Sequence, residues 1–243
     1  MTETVALVTG ANKGIGYAIA SQLADRGVTV LLGVRDTARR EAAVAKLHDE
    51  GRDVHGIALD VTDGATIAAA AAEIDSRFGR LDILVNNAGI TGDGAQEAGA
   101  GGLAEVRRVF DVNVFGVMAV TDAMLPLLLR SAAGRIVNVS SSVGSLANMT
   151  AADGGYLADM PAMLGYPVSK TALNAVTAQY AKHVRKNGIL VNAVCPGYTA
   201  TDLNGFAGFR TADQGAAVAV RLATVGADGP TAGFFDDEGE VAW

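Results

Sequence analysis

The sequence predicts a single-domain α/β fold, in which a doubly wound, mostly parallel sheet of about seven strands carries helices on both faces. Two observations support this prediction. Short β-branched apolar runs alternate with longer amphipathic runs, which is typical of repeated βαβ units. The 243 residues are 50% hydrophobic and contain no linker and no internal repeat, so the whole chain, residues 1–243, can bury one large core.

The elements follow in order from the spacing of apolar residues. Strands are expected at residues 5–8, 28–32, 54–59, 83–85, 135–139 and 189–194. Helices are expected at residues 14–26, 37–50, 64–78, 166–186 and 211–222, with a broken pair of helices from 103 to 129. Residues 91–102 and 142–165 carry neither pattern. Long irregular loops in an α/β protein are usually functional.

Composition and charge exclude several classes of function. The 26 acidic and 19 basic residues give a net charge of −7 that is spread along the chain, so no nucleic-acid partner is expected. The single cysteine, Cys195, cannot form an internal disulfide, and no Cys/His cluster offers a metal site. The N-terminus lacks a signal-peptide pattern, and no apolar stretch is expected to span a bilayer. We therefore expect a cytoplasmic protein with no metal and no membrane partner.

A glycine-rich segment, residues 9–16, joins the first strand to the first helix. Its three glycines allow a tight turn and a close backbone approach to a pyrophosphate, and the helix N-terminus offers free N–H groups and a positive dipole. The sequence thus predicts a Rossmann-type dinucleotide site, the alternative being a glycine turn that serves only packing. The residues expected to form this part of the site are Gly10, Asn12, Lys13, Gly14, Ile15 and Gly16.

The end of the second strand reads Gly33-Val34-Arg35-Asp36 and is expected to meet the adenosine ribose. An acidic residue there would bond the 2′-hydroxyl of NAD, whereas a cation would pair with the 2′-phosphate of NADP. Arg35 together with Lys13 would form a basic pocket, which favours NADP(H). In the alternative, Arg35 and Asp36 are solvated residues, and Asp36 is the N-cap of the next helix.

Polar residues close the third and fourth strands, at the edge where ligands bind in doubly wound folds. Asp60 is placed to accept a hydrogen bond from an adenine amino group. Each of these residues alone is also explained as a cap or turn residue. The cofactor residues expected at these two strand ends are Asp60, Val61, Asn86, Ala88 and Gly89.

Tyr166 and Lys170 lie four residues apart, on one face of the helix expected to begin there. A neighbouring cation stabilises phenolate and lowers the pKa of a tyrosine from about 10, which would let Tyr166 exchange a proton with a substrate oxygen. The fifth strand ends in Ser140-Ser141-Ser142, and a serine hydroxyl there would polarise a carbonyl. The alternative is a half-buried tyrosine and a surface lysine. Neither a nucleophile elbow nor a Walker A sequence offers another chemistry.

The order of these motifs resembles the short-chain dehydrogenase/reductase family over nearly the full chain. The matching features are residues 9–16 and 86–89, Asn113, Ser141, the Tyr166/Lys170 pair and Pro196-Gly197. The glycine loop, residues 34–36, Cys195-Pro196-Gly197 with Thr201-Asp202, and the terminal Trp243 are similar to the NADPH-dependent carbonyl reductases.

The resemblance implies a role for each matching polar residue. Tyr166 would protonate the carbonyl oxygen, and Lys170 would lower the pKa of Tyr166 and hold the nicotinamide ribose. Ser141, the second of the three serines, would orient the carbonyl. Asn113 would bind a water that links Lys170 to solvent at a break in its helix, the alternative being a buried asparagine satisfied by backbone.

Two loops complete the expected site. The resemblance implies that Pro196, Gly197 and the Thr199 backbone face the nicotinamide carboxamide, and that Thr201 begins a mobile lid at about residues 200–209. The 24 residues between Ser141 and Tyr166 are more than most family members have. This insertion, at about residues 142–165, should cover the substrate mouth beside the helix faces that build the family's oligomers. Monomer and homodimer are equally expected.

These features predict an NADPH-dependent reductase that acts on a small-molecule ketone or aldehyde. An apolar, adaptable pocket is indicated by the side chains at the mouth, which are Leu146, Met149, Met160, Met163 and Leu164. Two alternatives stay open. One is an alcohol dehydrogenase that works oxidatively with NAD(P)⁺, and the other is an NADP-binding sensor without turnover.

Overall fold

The structure, a computed structural model, describes residues 3–94, 96–152, 157 and 160–243. Its centre is a seven-stranded sheet with the order β3-β2-β1-β4-β5-β6-β7, in which each neighbouring pair is parallel. The strands are β1 (Val5–Thr9), β2 (Thr29–Val34), β3 (Val54–Ala58), β4 (Ile83–Asn86), β5 (Arg135–Val139), β6 (Leu190–Val194) and β7 (Phe234–Phe235).

Helices connect consecutive strands and cover both faces of this sheet. Among the described residues the α-helices are α1 (Gly14–Ala24), α2 (Thr37–Asp49), α3 (Gly64–Phe78), α4 (Leu103–Phe110), α5 (Gly116–Leu128), α6 (Leu146–Met149), α7 (Tyr166–Val184) and α8 (Ala212–Ala223). Most of their bounds agree with the sequence-based prediction to within two residues.

Two apolar cores lie on opposite faces of the sheet. On one face, Leu23 of α1 and Val220 of α8 belong to a fully buried cluster with the strands. On the other face, Ile74 of α3, Met124 of α5 and Val184 of α7 belong to a second cluster. Strands buried on both faces read as continuous apolar runs, which explains why β1, β2, β5 and β6 are buried along their whole length. The doubly wound α/β prediction is confirmed.

The seventh strand is an element that the sequence did not locate. β7 contains only two residues, which is too short to show a periodicity. Phe234 is nonetheless fully buried, and its ring stacks on Trp243 with the ring centroids 5.8 Å apart. Long-range packing at the sheet edge therefore defines this strand.

The predicted broken pair of helices is one helical run interrupted by a π-helical segment, Asp111–Phe115, between α4 and α5. Contrary to the sequence-based expectation, Leu103–Leu128 is long and apolar enough to cross a membrane by length and composition alone, because an 18-residue window has a mean hydropathy of 1.4. Half of that window is buried inside the fold, where Met124 and Leu127 pack beneath the sheet.

The two segments predicted to be irregular meet each other. The amide of Ala98 donates to the Ala162 carbonyl at 2.9 Å, and the amide of Leu164 donates to the Gln96 carbonyl at 2.8 Å. The predicted insertion at 142–165 begins with a 3₁₀ turn, Ser142–Gly144, and then α6. Its residues 153–156, 158 and 159 lie outside the described residues.

The strand order reverses beside β1, which pairs with β2 on one side and β4 on the other. Connections on the two sides of such a point run in opposite directions, so a crevice opens at the carboxyl ends of the strands.

Candidate active site

A cleft of about 440 Å³ opens at the carboxyl edge of the sheet. Strand ends and helix starts that are far apart in sequence meet there because parallel strands all end at the same edge. The predicted site residues that line the cleft are Gly10, Asn12, Lys13, Gly14, Ile15, Gly16, Arg35, Asp60, Val61, Ala88, Gly89, Tyr166, Lys170, Pro196 and Thr201.

The glycine loop has the geometry of an anion site. Gly10 and Gly14 have φ angles of +65° and +56°, which favour glycine. A β-carbon on Gly16 would meet the Asn87 side-chain amide and would lie 2.6 Å from the Gly10 carbonyl oxygen. The N-cap residue of α1, Lys13, makes no side-chain capping bond, and no acidic residue lies in the first turn. The free N–H groups of α1 therefore fit a diphosphate such as that of a dinucleotide.

The helices that directly follow β2 and β3 begin differently. Asp36 caps α2 by accepting the Arg39 amide at 2.8 Å, and Asp63 caps α3 by accepting the Ala65 amide at 2.9 Å. The N-cap interpretation of Asp36 is thus confirmed. Among these helix starts, α1 at the cleft lacks the cap that α2 and α3 have, which leaves its N-terminus to a ligand.

The predicted basic pocket of Lys13 and Arg35 also contains two carboxylates. Lys13 forms an ion pair with Asp202, and both side chains are about half exposed. Arg35 is mostly exposed, and its Nη1 lies 3.8 Å from Oδ2 of Asp60. The sequence predicted a purely basic pocket here. The structure corrects this prediction, because each of the two cations lies beside a carboxylate.

Asp60 is held in its ionised form. Burial opposes ionisation, but hydrogen bonds from the Thr62 amide and hydroxyl and the charge of Arg35 outweigh it, so the pKa of this carboxyl is below its ordinary value. Both Thr62 groups donate to Oδ1, at 2.9 and 2.7 Å, which leaves Oδ2 for Arg35 or a ligand.

Tyr166 and Lys170 occupy the first turn of α7, opposite the end of β5. Nζ of Lys170 donates to the Val139 carbonyl at 2.8 Å and lies 5.5 Å from the centre of the Tyr166 ring. Ser141 hydrogen-bonds the phenol. Ser140 lines the cleft, but its hydroxyl donates to Oδ1 of Asn174 at 2.6 Å. Of these two serines, Ser141 is the one that affects the pKa of Tyr166, and the Ser140 side chain is bonded to α7 instead.

Burial of Tyr166 and Lys170 disfavours the charged form of both side chains. Desolvation by burial raises the pKa of Tyr166 to about 12, with the Ser141 hydrogen bond acting against the rise and the nearby Cys195 adding to it. Burial also lowers the pKa of Lys170 to about 8, and Cys195 opposes this change. The expectation that Lys170 lowers the pKa of Tyr166 is not met in this structure, because desolvation dominates and the ammonium is directed at the Val139 carbonyl.

Burial of Lys170 predicts a measurable stability effect. We expect Lys170→Met to raise the free energy of unfolding at pH 7 by up to about 3 kcal/mol, since burial lowers the pKa from 10.5 to about 8 and 1 pKa unit corresponds to about 1.4 kcal/mol. The penalty for burying the ammonium is complete below pH 8 and disappears between the folded pKa of about 8 and the ordinary value of 10.5. The advantage of the variant should therefore shrink as pH rises through this window.

Urea unfolding at several pH values measures this effect. Lys182→Met, at an exposed position of the same helix, is the matched control and should show no such pH-dependent gain. A Lys170→Met variant that is less stable than wild type at pH 7 would contradict the interpretation.

Asn113 lies in the π-helical segment and is fully buried. Its side-chain oxygen accepts the Ile90 amide at 2.9 Å, and its Nδ2 donates to the Ile90 carbonyl at 2.9 Å and to the Ser169 hydroxyl at 3.0 Å. The point that a β-carbon on Gly89 would occupy lies 3.3 Å from Oδ1 of Asn113 and 3.6 Å from Nζ of Lys170. Asn113 therefore lies beside Lys170, and backbone satisfies its side chain as in the alternative interpretation.

Three predicted cofactor residues lie outside the cleft lining, and for Asn86 the structure corrects the prediction. Its side chain is buried and donates to Thr121 at 3.1 Å and to Asn138 at 2.9 Å. The neighbouring Asn87 lines the cleft instead and donates to the Thr9 carbonyl at 2.9 Å.

Gly197 and Thr199 are the other two predicted cofactor residues that do not line the cleft. The hydroxyl of Thr199 donates to the Pro196 carbonyl at 3.1 Å, so it shapes the turn that carries Pro196. Thr201 packs on the glycine loop, since its Cγ2 lies 3.4 Å from the position of a β-carbon on Gly14. The segment expected to form a lid therefore begins in contact with the glycine loop.

The cleft also contains residues that the sequence did not single out, namely Arg39, Ile90, Val112 and Leu203. Arg39 lies in the first turn of α2, four residues after Arg35, and a second arginine so close to the expected phosphate position was the available signal. The three apolar residues had no such signal in the sequence, because an apolar residue that lies beside a ligand cannot be told from a core residue by its sequence pattern.

The comparisons with known proteins agree with this geometry. Residues 4–208 match the family model described as short chain dehydrogenase. Salutaridine reductase from Papaver bracteatum is 37% identical, with 98% of this chain and 95% of the relative covered. (-)-Isopiperitenone reductase from Mentha piperita is 34% identical over 99% of this chain and 98% of the relative.

A solved structure, the NADPH-bound carbonyl reductase from chicken fatty liver, superposes with a TM-score of 0.86 at 28% identity and covers 100% of both chains. The family match spans most of the sequence, and the fold and the order of motifs agree with it. The chain therefore belongs to the short-chain dehydrogenase/reductase family of oxidoreductases.

Proposed function

We propose that this protein is an NADPH-dependent reductase of ketones or aldehydes in which Tyr166 donates the proton. The observation that carries the proposal is that Tyr166, which Ser141 contacts, and Lys170 line the same cleft as the uncapped N-terminus of α1. The names of two relatives as reductases, and of a neighbour as an NADPH-bound carbonyl reductase, support the reductive direction and the cofactor.

The residues present fit a dinucleotide. The α1 N-terminus would hold the diphosphate, Arg35 and Asp60 would hold the adenosine end, and Lys170 and Pro196 would hold the nicotinamide end. A bound nicotinamide supplies a hydride for the substrate carbon. Within one cleft, positioning of the two reactants provides a large part of the rate acceleration.

The chain's own residues complete the reaction. The Ser141 hydroxyl orients the carbonyl oxygen by a hydrogen bond, and Tyr166 transfers its phenol proton to that oxygen as negative charge develops there. Lys170, with its Nζ 5.5 Å from the centre of the Tyr166 ring, is the cationic cleft residue that lies beside the phenolate left behind.

The protonation state of Tyr166 at neutral pH is the one that carbonyl reduction requires. Burial raises the pKa of Tyr166 to about 12, so the phenol carries its proton at neutral pH and is ready to donate it. Oxidation of an alcohol needs the opposite, a phenolate that accepts a proton. The convergence of Ser141 with Tyr166 also counts against a sensor, which has no use for an oriented proton donor.

A spectrophotometric screen tests the proposal. Purified protein is mixed with NADPH or NADH and a panel of ketones and aldehydes, and loss of reduced-nicotinamide absorbance is followed. We expect consumption of NADPH with apolar ketones. NADPH binding without any consumption would support the sensor, and faster alcohol oxidation at neutral pH would support the dehydrogenase.

Cofactor choice is tested by Arg35→Ala. We expect the KM for NADPH to rise about tenfold, since loss of a charge-assisted hydrogen bond costs on the order of 1.5 kcal/mol, while the KM for NADH stays nearly constant. Initial rates with both cofactors measure the effect. Arg77→Ala, which removes an arginine paired with Glu73 on α3, is the matched control. An unchanged KM for NADPH would contradict the NADP assignment.

A further inference from the structure

Gln96 is a buried residue that the proposed mechanism does not use. It lies in the irregular segment after β4, its side chain is 3% exposed, and its Oε1 has no hydrogen-bond partner among the described residues. Its Nε2 donates to the Thr91 carbonyl at 3.0 Å. An unpartnered amide oxygen in a buried position costs free energy, so its position needs a compensating role.

The carboxamide of Gln96 lies between two glycines. The Nε2 atom is 2.7 Å from the point that a β-carbon on Gly92 would occupy, and Gly92 has a φ angle of +81°. The Oε1 atom takes the place that a β-carbon on Gly165 would need. A β-carbon at either position would therefore meet the carboxamide of Gln96, and this side chain packs closely between the two segments.

Gly165 directly precedes Tyr166. Its carbonyl accepts the Ser169 amide at 2.9 Å, which is a first hydrogen bond of α7, and α7 has no side-chain cap at its N-terminus. The backbone on the other side of Gly165 is also held by this segment, because the Leu164 amide donates to the Gln96 carbonyl at 2.8 Å. The start of α7 is thus fixed from residue 96 by both backbone and side chain.

We propose that Gln96 is a positioning residue for Tyr166, in that its carboxamide, packed against Gly165, sets where α7 begins and so aims the phenol into the cleft. This inference rests on the proposed function of Tyr166. It also explains why the segments at 91–102 and 142–165 meet where they do, since each supplies one side of the contact.

Kinetics of Gln96 variants test the inference. In Gln96→Ala we expect kcat for ketone reduction to fall by about 10- to 100-fold, because displacement of a reacting group by about 1 Å has that effect. The KM and Kd for NADPH should change by less than about twofold, since the glycine loop is untouched. Gln96→Met keeps the shape of the side chain and should retain more of kcat than Gln96→Ala. Gln179→Ala, an exposed change on α7, is the matched control.

A double-variant cycle isolates the contact. Gly165→Ala should be severely impaired in the wild-type background, where the new methyl group meets Oε1, and less impaired in the Gln96→Ala background, where that atom is gone. Equal loss in both backgrounds would overturn the proposal. So would a wild-type kcat in Gln96→Ala, or a loss of kcat matched by an equal loss of NADPH affinity.

Hydrogen exchange separates this inference from the proposed function. The Ser169 amide should exchange faster in Gln96→Ala than in wild type, with protection of α1 unchanged. If wild type reduces no carbonyl compound but this difference is present, the proposed function fails and the control of α7 by Gln96 stands. Unchanged exchange at Ser169 would overturn the positioning role whatever the activity of the enzyme.

Discussion

Replacing Tyr166 by phenylalanine is expected to lower kcat for carbonyl reduction by about 10²- to 10⁴-fold, the range contributed by general acid catalysis. The variant keeps the ring and its packing against the first turn of α7 but has no proton to donate. The NADPH Kd should stay close to that of wild type, because the glycine loop and the Arg35 region are unaffected. Steady-state kinetics and a fluorescence titration with NADPH measure the two quantities.

Tyr180→Phe is the matched control, since it removes a phenol from the same helix. Its hydroxyl donates to Asp122 at 2.6 Å on the far side of α7 and has no contact with the cleft. We expect its kcat to equal that of wild type. A Tyr166→Phe enzyme that oxidises NADPH with ketones at the wild-type rate would exclude Tyr166 as the proton donor.

Replacing Gly16 by alanine is expected to weaken NADPH binding by about 10- to 100-fold, since overpacking costs about 1–3 kcal/mol and 1.4 kcal/mol is a factor of ten. The new β-carbon would meet the Asn87 side-chain amide and would lie 2.6 Å from the Gly10 carbonyl oxygen. Both neighbours belong to the turn that approaches the diphosphate, so the loop must move. Part of the cost should also appear as a lower melting temperature.

Gly64→Ala is the matched control for this change. Gly64 begins α3, and no atom lies within 4 Å of the position of its β-carbon. Alanine there should leave NADPH binding unchanged and stabilise the helix by up to about 1 kcal/mol. The titration with NADPH compares the two variants directly. Equal NADPH affinities for Gly16→Ala and Gly64→Ala would refute the packing argument.

The architecture could be predicted from the sequence because its signals are local. A strand buried on both faces must be apolar along its length, and a helix that covers a sheet must repeat its apolar residues every three to four positions. β1, α3 and α7 therefore lie within about two residues of their predicted bounds. The glycine loop was recognisable for a similar reason, since backbone conformation at Gly10 and Gly14 excludes most other residues.

Most of the candidate site followed from the same reasoning. Parallel strands end at one edge, so polar residues at strand ends, such as Asp60 and Gly89, were expected to meet in one cleft. The direction of a side chain at a strand end is less predictable. Asn86 and Asn87 are adjacent and chemically identical, yet Asn86 is bound within the core while Asn87 reaches the glycine loop.

Charge and protonation were decided by contacts between distant segments. The pairing of Lys13 with Asp202 and of Arg35 with Asp60 joins residues that no local pattern connects. The pKa of Tyr166 is raised to about 12 by burial that the folded surroundings create, although the neighbouring lysine alone predicted a lower value. Desolvation depends on the whole shell of atoms around a group, and sequence spacing does not report it.

The sequence by itself determined the doubly wound sheet, the dinucleotide loop and the Tyr166/Lys170 pair, because short-range backbone and periodicity rules govern each of them. Only the tertiary structure decided which serine contacts the phenol, that β7 exists, and that Gln96 packs against Gly165 beside the start of α7. These features arise where segments far apart in the chain are packed together, and the side chains that meet there are selected by shape and burial rather than by spacing along the chain.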